Sequence, residues 1–304
     1  MRAAVALFCL ATGCRSRGVE RWATAAGSLS STALRAHVDF LTDDLLEGRR
    51  AGSRGEAVAA RYVASELESL GLSVERVSVA LPLGELRQGT LEATRGNVRV
   101  ELRPGEDFVL LGAPREPEID LTDPPLQLLG LEEWLHTGPA HAAGWLLATP
   151  GGRLQIAASP AAATQLGGAR TRLRARLELA EATATDVVAR LPGAGACQVA
   201  LTAHHDGFGP GFAGAADGAA GVALLLELAR GLSRAPGRPR CQITLRSYGA
   251  AEWGLGVHSA PPVPPSLAAR AHTRRDRIAR DWDWEDLKRR AQQALLRAGQ
   301  GERP

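Results

Sequence analysis

The chain has 304 residues, of which 45% are hydrophobic, and 36 Lys and Arg residues nearly balance 33 Asp and Glu residues to give a net charge of +3. This apolar content excludes a wholly disordered protein and is enough for one large or two small globular domains. The basic residues are almost all Arg, since Lys288 is the single Lys. Because no nucleic-acid-binding motif accompanies them, we expect no nucleic-acid partner.

The first residues predict an export signal at 1–14. An apolar stretch follows Arg2, and small residues precede Cys14, which is the pattern of a short secretory signal. The tetrapeptide ATGC also resembles a bacterial lipobox, in which Cys14 would be lipidated and would tether the chain to a membrane; the alternative is a signal peptide with an incidental Cys. We expect an exported protein, either a periplasmic or cell-envelope lipoprotein or a secreted one.

Residues 31–72 predict a helix, a loop and a second helix. Leu34, Val38 and Leu41 are spaced for one helix face, and the same spacing resumes after the loop EGRRAG and continues to residue 70. Gly71 is the residue type that ends helices. With the alternating strand pattern of residues 73–81, the stretch 28–81 forms the first part of the predicted main domain.

Residues 82–184 differ from the rest in pattern. Short alternating segments separated by Pro, Gly and Asp predict a small β-rich insertion. Strand and helix patterns then alternate from residue 185 to residue 248, which is typical of a mostly parallel sheet. We therefore predict a three-layer α/β/α domain made of 28–81 and 185–304, the last part internally shortened and closed by an amphipathic helix near 283–298.

The strand pattern that ends at residue 203 runs directly into His204 and Asp206. A Gly-rich loop and a lone Asp217 follow, and Glu252 comes 35 residues later, after the next strand pattern. Open α/β sheets build their sites at the carboxyl ends of strands, and imidazole and carboxylate are ligands of zinc. These residues predict part of a zinc hydrolase site.

Six motifs, in order, resemble the co-catalytic zinc aminopeptidase family M28, which includes bacterial leucyl aminopeptidases and relatives of glutamate carboxypeptidase. The motifs occur in about 160 residues, in two blocks, and they are LTDDLLEGRRAGSRG, TDVVARLPG, AHHDG, GAADGAAG, SYGAAEWGL and AHTRRDRIARDWDWEDL. The β-rich insertion lies where many members of that family carry a protease-associated domain, although it is short and matches poorly. The resemblance implies hydrolysis of N-terminal residues from peptide substrates.

The resemblance also implies a role for each site residue. His204 would ligate one zinc, and Asp206, the predicted catalytic-site carboxylate, would orient its imidazole. Asp217 would bridge two zincs, Glu252 would ligate the second, and His272 would complete the second zinc's ligands. Zinc pairs of this kind lie about 3.5–4 Å apart and hold a water and the substrate carbonyl between them.

The sequence departs from the family at two places. The position of the general base, normally Glu, is Ala251, and loss of such a base typically costs about 10²–10⁴-fold in rate. Only twelve residues, 259–270, separate the segment after Glu252 from the tail motif, too few for the family's strand whose Asp completes the first zinc's ligands. We therefore expect one or two zincs and weak or absent turnover, with Asp206 or His205 as the groups to examine first for a replacement base.

Several alternatives stay open from the sequence. The chain is an exported aminopeptidase with impaired activity, a non-catalytic binding or interaction protein on the same scaffold, or a decayed gene product. A glutaminyl-cyclase-like enzyme with one zinc would share the fold, but nothing in the sequence favours it. His205 is expected to be a packing or rim residue, and Cys197 and Cys241, each at the start of a strand pattern, are either a disulfide or two buried thiols.

Overall fold

The computed structural model describes residues 22–104, 107–111, 117–124, 126–127, 146–147, 155–158, 160–209, 211–252, 277–278 and 282–299. The helices within these ranges are α1 (Ser31–Leu41), α2 (Arg54–Ser69), α3 (Pro160–Leu166), α4 (Ala220–Arg234) and α5 (Trp284–Gly299). The strands are β1 (Val74–Arg95), β2 (Val98–Leu102), β3 (Phe108–Leu111), β4 (Glu118–Thr122), β5 (Leu126–Gln127), β6 (Leu146–Leu147), β7 (Gln155–Ala158), β8 (Arg170–Leu191), β9 (Gln198–His204) and β10 (Gln242–Tyr248). A 3₁₀ turn occupies Asp44–Arg49 and a π turn Ala215–Ala219. The predicted signal at 1–14 lies outside the described residues.

In the described part of the chain, we find no helix with the length and apolar character needed to cross a membrane.

Helices α1 and α2 form where the apolar spacing predicted them. Ser30 precedes α1, and its hydroxyl accepts a hydrogen bond from the backbone N–H of Ala33; Ser53 caps α2 in the same way. Gly71 ends α2 with a φ of 76°, a conformation that glycine adopts without steric cost. Its N–H donates to the carbonyl of Glu68 at 2.9 Å, which satisfies one of the last carbonyls of the helix.

The α/β class is confirmed, whereas the mostly parallel arrangement is not. The larger sheet has the strand order β2-β1-β8-β10-β9, with β4 also paired to β8. Within the described residues, β9 and β10 are its one parallel pair, and the other neighbours run antiparallel. The reason is the length of β1 and β8, which form a continuous antiparallel ribbon of two 22-residue strands.

The ribbon links the two parts of the chain that the sequence pattern separated. The expected boundaries before residue 82 and after residue 184 fall inside β1 and β8, so the strand pairing runs across both without interruption. In the distal half of β8, Leu173, Ala175 and Leu177 are buried while the intervening residues are exposed. This period of two is the mark of a strand with one buried face. A separate four-stranded sheet, in the order β5-β7-β3-β6, packs in the same region.

The main core lies between the sheet and the four longer helices. Members of α1, α2, α4 and α5 form one apolar cluster with one face of β8, β9 and β10, including Val187, Leu245 and Ala203. The opposite face carries ion pairs, among them Arg246 with Asp186 at 2.6 Å. Among the described helices, these four cover one face of the sheet, so the second outer layer of the predicted three is not seen in the described residues.

Candidate metal centre

The parallel pair β9–β10 brings the predicted site residues to one edge of the sheet. The two strands end in register, with His204 opposite Tyr248, so the segments that follow them meet. The N–H of His205 donates to the carbonyl of Tyr248 at 2.9 Å. Asp206 follows β9 and Glu252 follows β10 by four residues, as expected for a site at the carboxyl ends of strands.

Three of the predicted site residues lie together in the interior. The Nδ1 atom of His204 is 3.4 Å from Oδ1 of Asp206 and 3.7 Å from Oε1 of Glu252. The backbone N–H of Glu252 donates to Oδ2 of Asp206 at 2.9 Å. His204 is 5% exposed, and both carboxylate residues are fully buried. Asp206 therefore accepts the backbone N–H of Glu252 and lies beside the imidazole of His204.

The donor types of this cluster are those of a metal site. Two carboxylates and one imidazole are buried side by side. Buried charges are costly unless they are paired or bind a metal ion. Imidazole nitrogen and carboxylate oxygen are both zinc ligands, so the donors of this cluster fit zinc in kind.

The turn that carries Asp217 packs directly on His204. Asp217 lies in the π turn Ala215–Ala219, and nothing is described of its side chain. The next residue, Gly218, has a φ of 83°, and a Cβ built there would lie 3.1 Å from the carbonyl oxygen of His204 and 3.2 Å from its Cε1. Glycine thus allows the backbone beside Asp217 to approach the imidazole closely.

The predicted ligand set extends beyond the described residues. His272 lies outside them, and no group of three or more His, Cys, Asp or Glu side chains that could hold a metal ion is complete within them. The ligand roles of His204, Asp217, Glu252 and His272, and the catalytic role of Asp206, therefore stay predictions.

Ala251 lies beside Glu252 and is fully buried. Its methyl group has no lone pair with which to accept a proton, so this position supplies no general base. The position at which the sequence departs from the family motif therefore lies next to the candidate ligand Glu252.

His205 is a packing residue of the core and not a rim residue. Its Nδ1 is 2.8 Å from Oγ of Ser247, its Nε2 is 3.2 Å from Oε1 of Glu56, and the ring is fully buried. Oε1 of Glu56 also accepts the backbone N–H of Thr185 at 3.0 Å. Since both ring nitrogens are engaged away from His204, the geometry does not support His205 as a replacement base.

Sequence reasoning missed Glu56 as part of this structure. A signal was present, because Glu56 lies on the apolar stripe of α2 with Ala59, Ala60 and Val63, all of them buried. A charged residue at a core position of a helix indicates a buried partner.

Arg49 is a second residue that sequence reasoning missed. It is fully buried, and its guanidinium donates to the carbonyls of His205 at 2.8 Å, Ala213 at 2.7 Å and Gly214 at 3.3 Å, and to that of Leu41. Arg49 thus joins the end of α1, the residue between His204 and Asp206, and the loop before the Asp217 turn.

The loop that carries Arg49 docks against the loop after β9. The N–H of Gly207 donates to the carbonyl of Arg49 at 2.9 Å, and that of Gly209 to the carbonyl of Gly48 at 3.2 Å. Gly48 has a φ of 68°, and a Cβ there would lie 1.8 Å from the carbonyl oxygen of Gly209. Only glycine fits at this approach, which explains the EGR motif of the sequence.

Several solved structures are similar to part of this chain. An aminopeptidase from Aneurinibacillus sp. strain AM-1 is 20% identical, with a TM-score of 0.49 over 76% of this chain and 65% of that one. BSAP, a zinc aminopeptidase from Bacillus subtilis, is 21% identical, with a TM-score of 0.47 over 74% and 63%. A glutaminyl cyclase from Fimbriiglobus ruber is 13% identical, with a TM-score of 0.36 over 72% and 45%. The chain therefore spans less than two thirds of the length of each of these proteins.

No curated protein sequence matches the chain. The sequence profile of peptidase family M28 matches residues 186–259, the segment that contains β9, the Asp217 turn, β10 and Glu252. The matched segment, which contains the described residues of the candidate metal centre, is therefore similar in sequence to peptidase family M28.

Proposed function

We propose that this protein binds zinc through His204, Asp217, Glu252 and His272, and that it is a metallo-aminopeptidase with weak or absent turnover. The observation that carries the proposal is the buried cluster of His204, Asp206 and Glu252, which brings imidazole and carboxylate groups, the ligand types of zinc, together at the carboxyl ends of two strands. The cluster lies in the segment that matches family M28.

Each described residue has a part in holding such a site. When bound, zinc supplies Lewis-acid polarisation of the scissile carbonyl and makes a water more acidic. Asp206 lies beside the imidazole of His204 with Oδ1, at 3.4 Å, and holds the backbone of Glu252 through Oδ2. Arg49 and Gly218 bring the loop of Asp217 to the same place. This support fixes ligand positions before metal and substrate bind.

The weak turnover follows from the lack of a base at position 251. Ala251 cannot take a proton, and both nitrogens of His205 are engaged by Ser247 and Glu56. Asp206 lies against His204 and the backbone of Glu252, which is the place of an orienting group. Without a base, the rate is expected to fall by about 10²–10⁴-fold from that of an enzyme that has one.

The buried methyl group of Ala251 also favours a second candidate function, which is peptide binding without catalysis. A protein with the metal ligands but with Ala251 at the position of the base would hold a peptide without cleaving it. This non-catalytic binding protein differs from the impaired peptidase in turnover alone, so one assay separates them.

The proposal includes export from the cytoplasm, with Cys14 as a membrane tether if it is lipidated. Cys197 and Cys241 form a disulfide that joins the starts of β9 and β10. Such bonds persist in oxidising compartments, which supports a periplasmic, cell-envelope or secreted location. Fractionation of the native host, with mass spectrometry of the N-terminus, tests this part: a full-length chain in the cytoplasm would contradict it.

The experiment for the main proposal combines metal and activity. The purified protein is stripped with a chelator, reloaded with zinc, and assayed with aminoacyl anilides. We expect slow release of the anilide that depends on zinc and is lost in His204→Ala, while His37→Gln, a histidine change at a residue that contacts Tyr62 and Glu227, retains it. Zinc binding with no release would favour the binding protein. No zinc binding would contradict both functions.

A further inference from the structure

A groove of about 550 Å³ lies between α1, α2 and the start of β1, and none of the candidate metal-centre residues lines it. Its floor is aromatic: the rings of Phe40 and Tyr62 stack at a centroid distance of 4.1 Å. Phe40 and Val58, which both line the groove, are each 39% exposed. The floor therefore offers an apolar contact surface to solvent.

The rim of the groove is positively charged. Arg54 and Arg61 lie seven residues apart on α2, which places them on one face of the helix, and Arg76 extends from β1. All three are exposed. Within the described residues, no hydrogen bond or ion pair engages their side chains, and no Asp or Glu is among the residues that line the groove. Arg54 is also the first residue of α2, where the helix dipole adds positive potential.

The arginine rim and the aromatic floor together indicate which kind of ligand the groove would bind. Three uncompensated guanidinium groups favour carboxylates, which they bind through paired hydrogen bonds, and the floor between them favours a bulky apolar group. The concave shape fits a chain segment better than the flat surface of a bilayer. We propose that this arginine groove binds an extended peptide segment in which acidic residues flank a bulky apolar side chain, the apolar group on Phe40 and Tyr62 and the carboxylates on Arg54, Arg61 and Arg76.

The probe is the blocked peptide acetyl-Glu-Glu-Phe-Glu-Glu-amide, which has no free N-terminus for an aminopeptidase. Its binding to the full chain is measured by calorimetry. The triple variant Arg54→Glu, Arg61→Glu and Arg76→Glu is compared with a control that makes the same change of charge at Arg95, Arg238 and Arg240, which are exposed elsewhere. We expect an affinity loss of about tenfold or more in the groove variant and less than about twofold in the control.

A second comparison isolates the floor. Phe40→Ala is expected to weaken binding of the Phe peptide severalfold and to leave a peptide with Ala in place of Phe nearly unchanged. If the triple variant does not fold, the single changes Arg61→Gln and Arg76→Gln, both at exposed positions, carry the test. Equal losses in groove and control variants would overturn the proposal, as would no binding of the peptide at about 1 mM. Preferential binding to phosphatidylserine vesicles, or a dimer that the groove variant dissociates, would assign the groove to another occupant and overturn it as well.

Discussion

Arg49 organises the candidate metal centre from outside it. Its guanidinium reaches carbonyl oxygens on three separate segments, including His205 and Ala213. Those segments carry or flank the predicted ligands His204 and Asp217. Because two of the three segments lie more than 150 residues away in sequence, no local pattern could have shown the role of Arg49.

The change Arg49→Met is expected to lower the free energy of unfolding by about 2–4 kcal/mol, since hydrogen bonds from a charged donor contribute about 1.5–3 kcal/mol each and the carbonyls would be left buried without a donor. Urea denaturation followed by circular dichroism measures the loss. Arg49→Lys is the matched control, because it keeps the charge but not the planar set of donors, and should be only partly destabilised. A loss below about 1 kcal/mol for Met would contradict this role.

Substitution at Ala251 tests whether a missing general base explains the weak turnover. The change Ala251→Glu places a carboxylate at the position of the missing base and is expected to raise the rate of anilide hydrolysis by about tenfold or more, provided that the site binds its metal fully. With partial metal loading, it should do little.

The matched control for that change is Ala251→Gln, which has the same size but accepts no proton. An equal rise in rate for the Gln and Glu variants would show that the wild type lacks a side chain of this size at position 251, and not a proton acceptor. No rise for Glu in protein with full zinc content would contradict the explanation of weak turnover by a missing base.

His37 gives the fold a dependence on pH. Burial lowers the pKa of His37 below the ordinary 6.5, against the opposing effect of Glu66 and Glu227. Its Nδ1 lies 2.7 Å from the hydroxyl of Tyr62, a contact in which the neutral ring accepts a hydrogen bond. Since the folded pKa is the lower one, the unfolded chain takes up a proton first, and stability falls as the pH drops below about 6.5.

The urea midpoint is therefore expected to decrease between about pH 7.5 and pH 5.5. In His37→Gln, which keeps an acceptor for Tyr62 but does not titrate, this decrease should be smaller. Identical decreases in the two proteins would assign the acid sensitivity to other groups.

At the scale of elements, the pair β9–β10 explains why the sequence could place part of the site. Both strands alternate in hydrophobicity and both end at residues of a different kind, so the convergence of His204 and Glu252 followed from local patterns and the rule for parallel strands. The antiparallel ribbon of β1 and β8 did not follow, because long-range pairing decides it and the short polar interruptions of residues 82–184 suggested separate strands.

The open question of the two cysteines is answered at the same scale. The register of β9 and β10 pairs Gln198 with Gln242, so the residues just before them, Cys197 and Cys241, are brought together and form a disulfide. The sequence showed the repeated position of Cys before each strand, but not that the strands are neighbours.

Removing this disulfide with Cys197→Ala and Cys241→Ala is expected to lower the free energy of unfolding by up to about 4 kcal/mol, because the bond closes a loop of 44 residues in the unfolded chain. Urea denaturation with and without dithiothreitol measures the same effect in the wild type. If reductant leaves the midpoint of the wild type unchanged, the disulfide does not form or does not stabilise the fold.

At the scale of the molecule, the described core lies on one face of the sheet, and the candidate metal centre lies at the carboxyl ends of two of its strands. The helices α1, α2, α4 and α5 bury one sheet face, and the carboxyl ends of β9 and β10 carry His204, Asp206 and Glu252 at the edge. The sequence thus predicted the α/β class and the residues that lie at this edge. The roles of Arg49 and Glu56, which hold the neighbouring segments in place, could be recognised only from the three-dimensional structure.

The central claim is that His204 and Glu252, at this edge of the sheet, bind a zinc ion together with Asp217 and His272. It is tested most directly by the zinc content of the purified chain after equilibration with excess zinc and desalting, measured by inductively coupled plasma mass spectrometry. We predict at least one zinc per chain in the wild type and in His37→Gln, and a marked loss in His204→Ala and in Glu252→Gln. A folded wild-type protein that retains no more zinc than these two variants would contradict the claim.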